Sequence, residues 1–343
     1  MHQNDFCQDF DLIEFVKQNP YQIDPFSIER KDFTVKFLAA GVLQFTPKKS
    51  SRRYLVLSAG VHGNETAPIE IVSSIVSDIL SKQLSLDINL LVIIGNPKAM
   101  KIEQRFSEIN LNRLFNGEWQ NFLIDGGLAE KNYEPLRAKE IEYFVDQFYQ
   151  QSEQGHERFH YDLHTAIRAS KYEKFAIYPH LHERKHSQEQ LNFLADCGVE
   201  TALLYHKPST TFSYHTSFNY KAHGFTVELG KVKPFGENNM DDFSAAGKCL
   251  RKLINNSYQF DGNPHKYSLN LFRIKKELLK ISEQSRLNIT DDTANFTSFD
   301  SGYELLIDPE QSYQVQKNGE AIVFPNNNVP IGQRMALIVE PLS

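Results

Sequence analysis

His62 and Glu65 stand three residues apart in "SAGVHGNETAPIEIV" (residues 58–72), where an apolar stretch gives way to a helical one. An imidazole and a carboxylate so placed can be two ligands of one metal ion if a third group completes them. Alone, the pair also fits a plain helix start, with Asn64 or Glu65 capping unpaired N–H groups and His62 filling the turn. "YDLHTAIR" shifts the balance, because His164 ends another strand-like run about a hundred residues later. Catalytic zinc commonly takes two close ligands, a distant third and one open position, and a two-histidine, one-glutamate set is an established combination. His62, Glu65 and His164 match that set.

Hydrolysis at such a metal also needs a carboxylate beside it, to take a proton from water and pass it to a leaving amine. Glu228 in "FTVELGK" ends a further apolar run. A buried, paired structural acid is the plain alternative, but no cation stands close upstream of Glu228 to pair with it. Arg105 and Arg113 flank Asn112 in "NPKAMKIEQRFSEINLNRLFNG". Solvated arginines are the usual explanation of such residues. Here they follow a strand end, and the guanidinium fork matches a carboxylate at two points.

These residues need elements that bring them to one edge. "FTVKFLAAGVLQFTP" alternates and breaks at Ala-Gly like two paired strands, and "RRYLVLSAG" follows as a continuous apolar run fit for a buried strand. From Thr66 onward Ile69, Val72, Ile75, Val76 and Ile79 repeat at three and four, which predicts an amphipathic helix, and "INLLVIIGNP" is again a buried strand. Further strands are predicted at "FHYDLHT", "KFAIYP", "TALLYH" and "GFTVELG", and helices at "PLRAKEIEYFVDQFYQ", "SQEQLNFLADCG" and "DDFSAAGKCLRKLINNS". The fold class expected is α/β, a mixed central sheet flanked by helices, whose strand ends form a ligand cleft. Near "YQFDGNPHK" the pattern turns to short β runs separated by Asp-Pro, Asn-Gly and Asn-Asn. The expected division is therefore residues 1–257, an α/β domain, and 258–343, a smaller mostly β domain.

Composition excludes other classes. With 343 residues, 37 basic against 43 acidic and a net charge of −6, the chain can bury a large core and carries no block of like charge to meet a nucleic acid. No run approaches the roughly 18 apolar residues of a membrane span, and the acidic start "MHQNDFCQDFDLIEF" is unlike a secretory signal, so a cytoplasmic protein is expected. Cys7, Cys197 and Cys249 lack C-x-x-C spacing and read as reduced thiols. His180, His182, His186, His206, His215 and His223 read as surface or hydrogen-bonded residues. Oligomeric state is not encoded in any of these features.

Taken together, "GVHGNE", "NPKAM" with "NLNRLF", "DLHTAIR" and "VELGK" resemble the succinylglutamate desuccinylase and aspartoacylase branch of the zinc carboxypeptidase superfamily. "DLHTAIR" and "ELGK" followed by "PFG" look most like the desuccinylase members. The resemblance implies one Zn2+ per chain on His62, Glu65 and His164, with Glu228 as general base and Arg105 polarising the scissile carbonyl. It also implies that Asn112 and Arg113 hold the substrate's α-carboxylate. The reaction implied is hydrolysis of N-succinylglutamate to succinate and glutamate in arginine breakdown. The rival readings are another N-acyl amino acid deacylase such as an aspartoacylase, a non-catalytic zinc protein of the same fold, and a carboxypeptidase. Two departures stand out: Asn110 where the family often has Asp, and no match for the tyrosine of peptidase members. Because N-succinylglutamate carries three carboxylates, a further cation is needed. Arg168, four residues after His164, is the first candidate and Lys231 the second.

Overall fold

The structure, a computed structural model, describes residues 10–124 and 132–342; Cys7 lies outside the described residues. In chain order the strands are β1 Phe26–Glu29, β2 Phe33–Ala39, β3 Val42–Pro47, β4 Arg53–Ala59, β5 Asn89–Ile94, β6 Glu157–Ala166, β7 Phe175–Tyr178, β8 Thr201–Leu204, β9 His223–Lys231 and β10 Asn270–Leu279. The remaining strands are β11 Arg286–Leu287, β12 Thr297–Ser298, β13 Glu304–Ile307, β14 Ser312–Gln314, β15 Ala321–Val323 and β16 Arg334–Pro341. The helices are α1 Leu12–Gln18, α2 Thr66–Leu80, α3 Pro97–Lys101, α4 Tyr133–Tyr149, α5 Gln188–Asp196, α6 Phe212–Tyr220 and α7 Ser244–Ile254.

Thirteen strands form one mixed sheet in the order β1-β2-β3-β5-β4-β6-β9-β7-β8-β10-β16-β15-β12. Its centre, β5-β4-β6-β9, is all parallel, and β4 buries every residue except Arg53, as its unbroken apolar run predicts. Because these four strands run the same way, the loops after β4, β5, β6 and β9 leave one edge. That edge collects the chemistry.

Helices cover both faces. On one, Ile69, Val72, Ile75, Val76 and Ile79 of α2 pack with Leu250 and Leu253 of α7 and Leu191 and Leu194 of α5. On the other, Ile141 and Val145 of α4 meet Val56, Ile93 and the loop residues Leu111, Leu114 and Phe115. The expected α/β fold with a mixed, helix-flanked sheet is thus observed. The C-terminal strands continue the same sheet, since β10 pairs in parallel with β8 from Asn270↔Thr201 to Arg273↔Leu204. Phe175 and Leu203 of the α/β part share a core with Phe272, Phe296, Val323 and Leu337 across that seam. The strands β11, β13 and β14 make a small second sheet, whose Leu287, Leu306 and Tyr313 share a core with Leu278 of β10, Ile322 of β15 and Ile338 of β16. Among the described residues no helix is long and apolar enough to cross a membrane.

Candidate active site

After β4 the chain turns through Gly60 and places His62 and Glu65 immediately before α2. Glu65 holds the N-cap position of α2 yet makes no side-chain capping bond, because both its oxygens face the site. Gly63 between them is obligatory on steric grounds. A Cβ there would lie 2.2 Å from the Ala99 carbonyl carbon and the Met100 nitrogen of α3.

His62, Glu65 and His164 are buried, and one donor atom from each falls within 4.8 Å of the others. His62 Nδ1 lies 2.8 Å from Glu65 Oε1 and His164 Nδ1 2.8 Å from Glu65 Oε2, so both imidazoles turn Nδ1 toward the shared point. Their other nitrogens are held from behind. His62 Nε2 donates to Asn110 Oδ1 at 3.0 Å, and His164 Nε2 donates to Asp162 Oδ2 at 2.8 Å. With Nε2 held by these acceptors, Nδ1 is the nitrogen each ring presents to a metal at the shared point. Asn110 Oδ1 also accepts from the Asn112 N–H at 3.0 Å, which settles the amide's orientation. Asn110 thus offers an acceptor without a charge.

Asp162 is anchored in turn by Ser58 Oγ at 2.6 Å, and Ser58 Oγ lies 2.9 Å from His160 Nε2. The charges are strongly coupled. Burial alone would raise the Glu65 carboxyl, but His62 and His164 hold it well below the usual range. Burial likewise opposes charging of His164, yet Asp162 and Glu65 outweigh it and push the imidazole well above its ordinary value. His62, buried and beside Arg105, is pulled down to about 4. A compact set of two imidazoles and a carboxylate, each oriented by its neighbours, fits a zinc ion.

Glu228 stands opposite His164 in the β6–β9 ladder and is 7% exposed. Its Oε2 has no hydrogen-bond partner. Burial, then the nearby Glu65 charge, raises its carboxyl to about 7, the range suited to a proton carrier at neutral pH. Arg105 Nη1 donates to Glu65 Oε1 at 2.7 Å, so its guanidinium borders the same point. The Arg105 loop is pinned where Ser107 N donates to the buried Glu134 Oε1 at 2.6 Å and Gly63 N to Arg105 O at 3.1 Å. Asn112 is buried and its Oδ1 accepts from Phe212 N at 2.9 Å, while Arg113 Nη1 donates to the Asn112 carbonyl at 2.8 Å.

Six of the sequence-chosen residues therefore meet or adjoin: His62, Glu65, His164, Glu228, Arg105 and Asn112, with Arg113 next in line. Arg168 is placed differently. Its Nη1 donates to the carbonyls of Asp291 and Thr293, between β11 and β12. Lys231 is exposed. Sequence reasoning passed over Asp162, although its place two residues before His164 puts both on one face of the strand. For Glu134 no local signal existed, because its partners lie 26 to 38 positions away.

The chain was compared with known proteins. Residues 51–254 match the succinylglutamate desuccinylase/aspartoacylase catalytic domain, and residues 267–342 the AstE/AspA barrel-sandwich hybrid domain. The chain belongs to the succinylglutamate desuccinylase/aspartoacylase family. It is 44% identical to succinylglutamate desuccinylase of Shewanella woodyi over 88% of this chain and 86% of that one. It is 42% identical to the Shewanella piezotolerans protein of the same name over 97% and 96%. The crystal structure of succinylglutamate desuccinylase from Vibrio parahaemolyticus superimposes with a TM-score of 0.87 at 32% identity, covering 98% of this chain and 96% of that one. Family membership thus extends across both the α/β part and the C-terminal strands.

Proposed function

We propose that this protein hydrolyses N-succinyl-L-glutamate to succinate and L-glutamate, with one zinc ion held by His62, Glu65 and His164. The observation that carries the reading is a buried carboxylate without a partner on Oε2, Glu228, set beside a three-donor cluster in a chain 44% and 42% identical to relatives named succinylglutamate desuccinylase. We place the reaction in arginine breakdown in the cytoplasm and the boundary between the two modules at 257/258.

Zinc bound there would acidify water and polarise the scissile carbonyl. The protein's own groups supply the rest. Glu228 removes a proton from the attacking water and returns one to the nitrogen as the C–N bond breaks, so the amine leaves neutral. Arg105 faces the oxygen on which negative charge develops and lowers the cost of that charge. Asn112 and Arg113 seat the α-carboxylate and so fix the amide over the cluster.

Arg168 is assigned a second carboxylate. A charge-assisted pair of that kind is worth about 1.5–3 kcal/mol, so Arg168→Ala should lower kcat/KM by about 10- to 150-fold. Equal losses on succinyl and acetyl substrates would instead give Arg168 the task of seating the 291–293 loop. The deciding experiment for the function is product release from N-succinylglutamate, N-acetylglutamate and N-acetylaspartate by purified protein of measured zinc content. Preference for an acetyl substrate, or full activity without metal, would overturn the proposal.

A further inference from the structure

A polar layer lies in the sheet behind the donor cluster, on the face that α6 covers. His160, Asp162 and His164 alternate along β6 and so share that face, while Phe159, Tyr161 and Leu163 turn to the apolar core on the other. Ser58 stands beside Asp162 in the β4–β6 register. Gly224, opposite His160 on β9, lets α6 come close: a Cβ there would lie 2.6 Å from the Ser213 carbonyl oxygen and 2.9 Å from Thr216 Oγ1. Thr216 Oγ1 thereby reaches His160 Nδ1 at 2.8 Å. Ser58, His160, Asp162 and Thr216 are all fully buried.

The hydrogens of this layer run one way. As a carboxylate, Asp162 only accepts, so the single Ser58 hydroxyl hydrogen goes to Asp162 Oδ1 at 2.6 Å. Ser58 Oγ then accepts from His160 Nε2 at 2.9 Å. Burial pulls the His160 imidazole down to about 4, so the ring is neutral at pH 7, and with Nε2 donating its Nδ1 accepts from Thr216. Each donor points toward Asp162, whose other oxygen, Oδ2, meets His164 Nε2 at 2.8 Å. Ser58 is the one donor to Asp162 Oδ1 among the described residues.

Filling space does not require such a layer. Val56, the neighbour of His160 in the β4–β6 ladder, is apolar and equally buried. A chain of three buried polar side chains that ends on one carboxylate oxygen fixes instead how that carboxylate is turned. Groups behind a metal-binding imidazole set its ring angle and its basicity.

We propose that Ser58 and His160 are positioning residues for the metal: through Asp162 they hold the His164 ring at the angle that zinc binding needs, and Thr216 of α6 anchors the far end of the chain. This rests on the reading of His62, Glu65 and His164 as zinc ligands.

The test measures zinc affinity of the metal-stripped full chain by competition with a chromophoric chelator, beside its melting temperature without metal. Ser58→Ala should bind zinc about 10- to 100-fold more weakly than wild type, the usual loss when a partner behind a ligand is removed. The same change strands the buried His160 N–H and should lower the metal-free melting temperature. The double variant Ser58→Ala/His160→Phe separates the two effects. It replaces both partners by apolar groups, sets the new ring against Phe212, whose centroid lies 4.3 Å from that of His160, and leaves Thr216 to donate to the Ser213 carbonyl at 3.0 Å. Its melting temperature should return to the wild-type value while its zinc affinity stays as low as that of Ser58→Ala. In cobalt(II)-loaded protein the visible d–d bands should differ from wild type in both variants, because the His164 ring has turned. Wild-type zinc affinity in both variants, or affinity that recovers in step with melting in the double, would leave the layer a purely structural one and overturn the inference with the zinc reading intact. A wild type that binds no zinc overturns both.

Discussion

Glu228 shows how one residue carries opposite demands. Burial lifts its carboxyl to about 7, against about 4.3 for a glutamate in an unfolded chain. The folded state therefore binds the proton more tightly. Its stabilising contribution is present at low pH and is lost as pH rises through about 7, where the fold must hold a buried charge. Glu228→Gln removes that burden. In chelator-treated protein the variant should melt above wild type at pH 8, and the gap should narrow by on the order of 2 kcal/mol toward pH 5. In the zinc-loaded enzyme the same change should lower turnover by on the order of 100-fold or more, because the proton carrier is gone. Wild-type turnover in Glu228→Gln would make its role structural, and a gap independent of pH would show that Glu228 does not titrate as described.

At the scale of elements, the site depends on a turn that only glycine allows. Gly63 lets the β4–α2 turn lie against the backbone of α3, so Gly63→Ala must push two elements apart. A loss of about 2–4 kcal/mol is expected, with zinc content falling in step as His62 and Glu65 part from His164. Melting and metal analysis on the same sample check this, and wild-type values for both would refute it. The central elements were legible because β4, β5, β6 and β9 are buried on both faces and read as unbroken apolar runs, while α2 repeats at helical spacing. Two others were not. α6 is "FSYHTSFNY", aromatic and hydroxyl-rich with no helical stripe, and it is held by packing on β6 and β9. β10 is "NLFRIKKELL", whose lysines and leucines carry helical propensity until pairing with β8 and β16 overrides it. The ligands were legible as types at strand ends; Glu134 acts through tertiary contacts that leave no local trace.

For the whole molecule, the β8–β10 ladder decides how the two modules behave. Cutting the chain after residue 257 would strip β8 of its neighbour and uncover Phe175 and Leu203. A bare apolar edge recruits other strands. The 1–257 fragment should therefore aggregate, and the full chain should unfold in one calorimetric transition. Two resolved transitions, or a monomeric fragment, would contradict that. The same ladder constrains recombination among relatives. A chimaera spliced at the boundary between the two matched family models exchanges half of a hydrogen-bonded strand pair along with its donor's module. Such grafts should succeed only where the incoming strand keeps the register of Asn270–Arg273 against Thr201–Leu204, so this family is expected to vary by point substitution within a fixed pairing more readily than by trading modules.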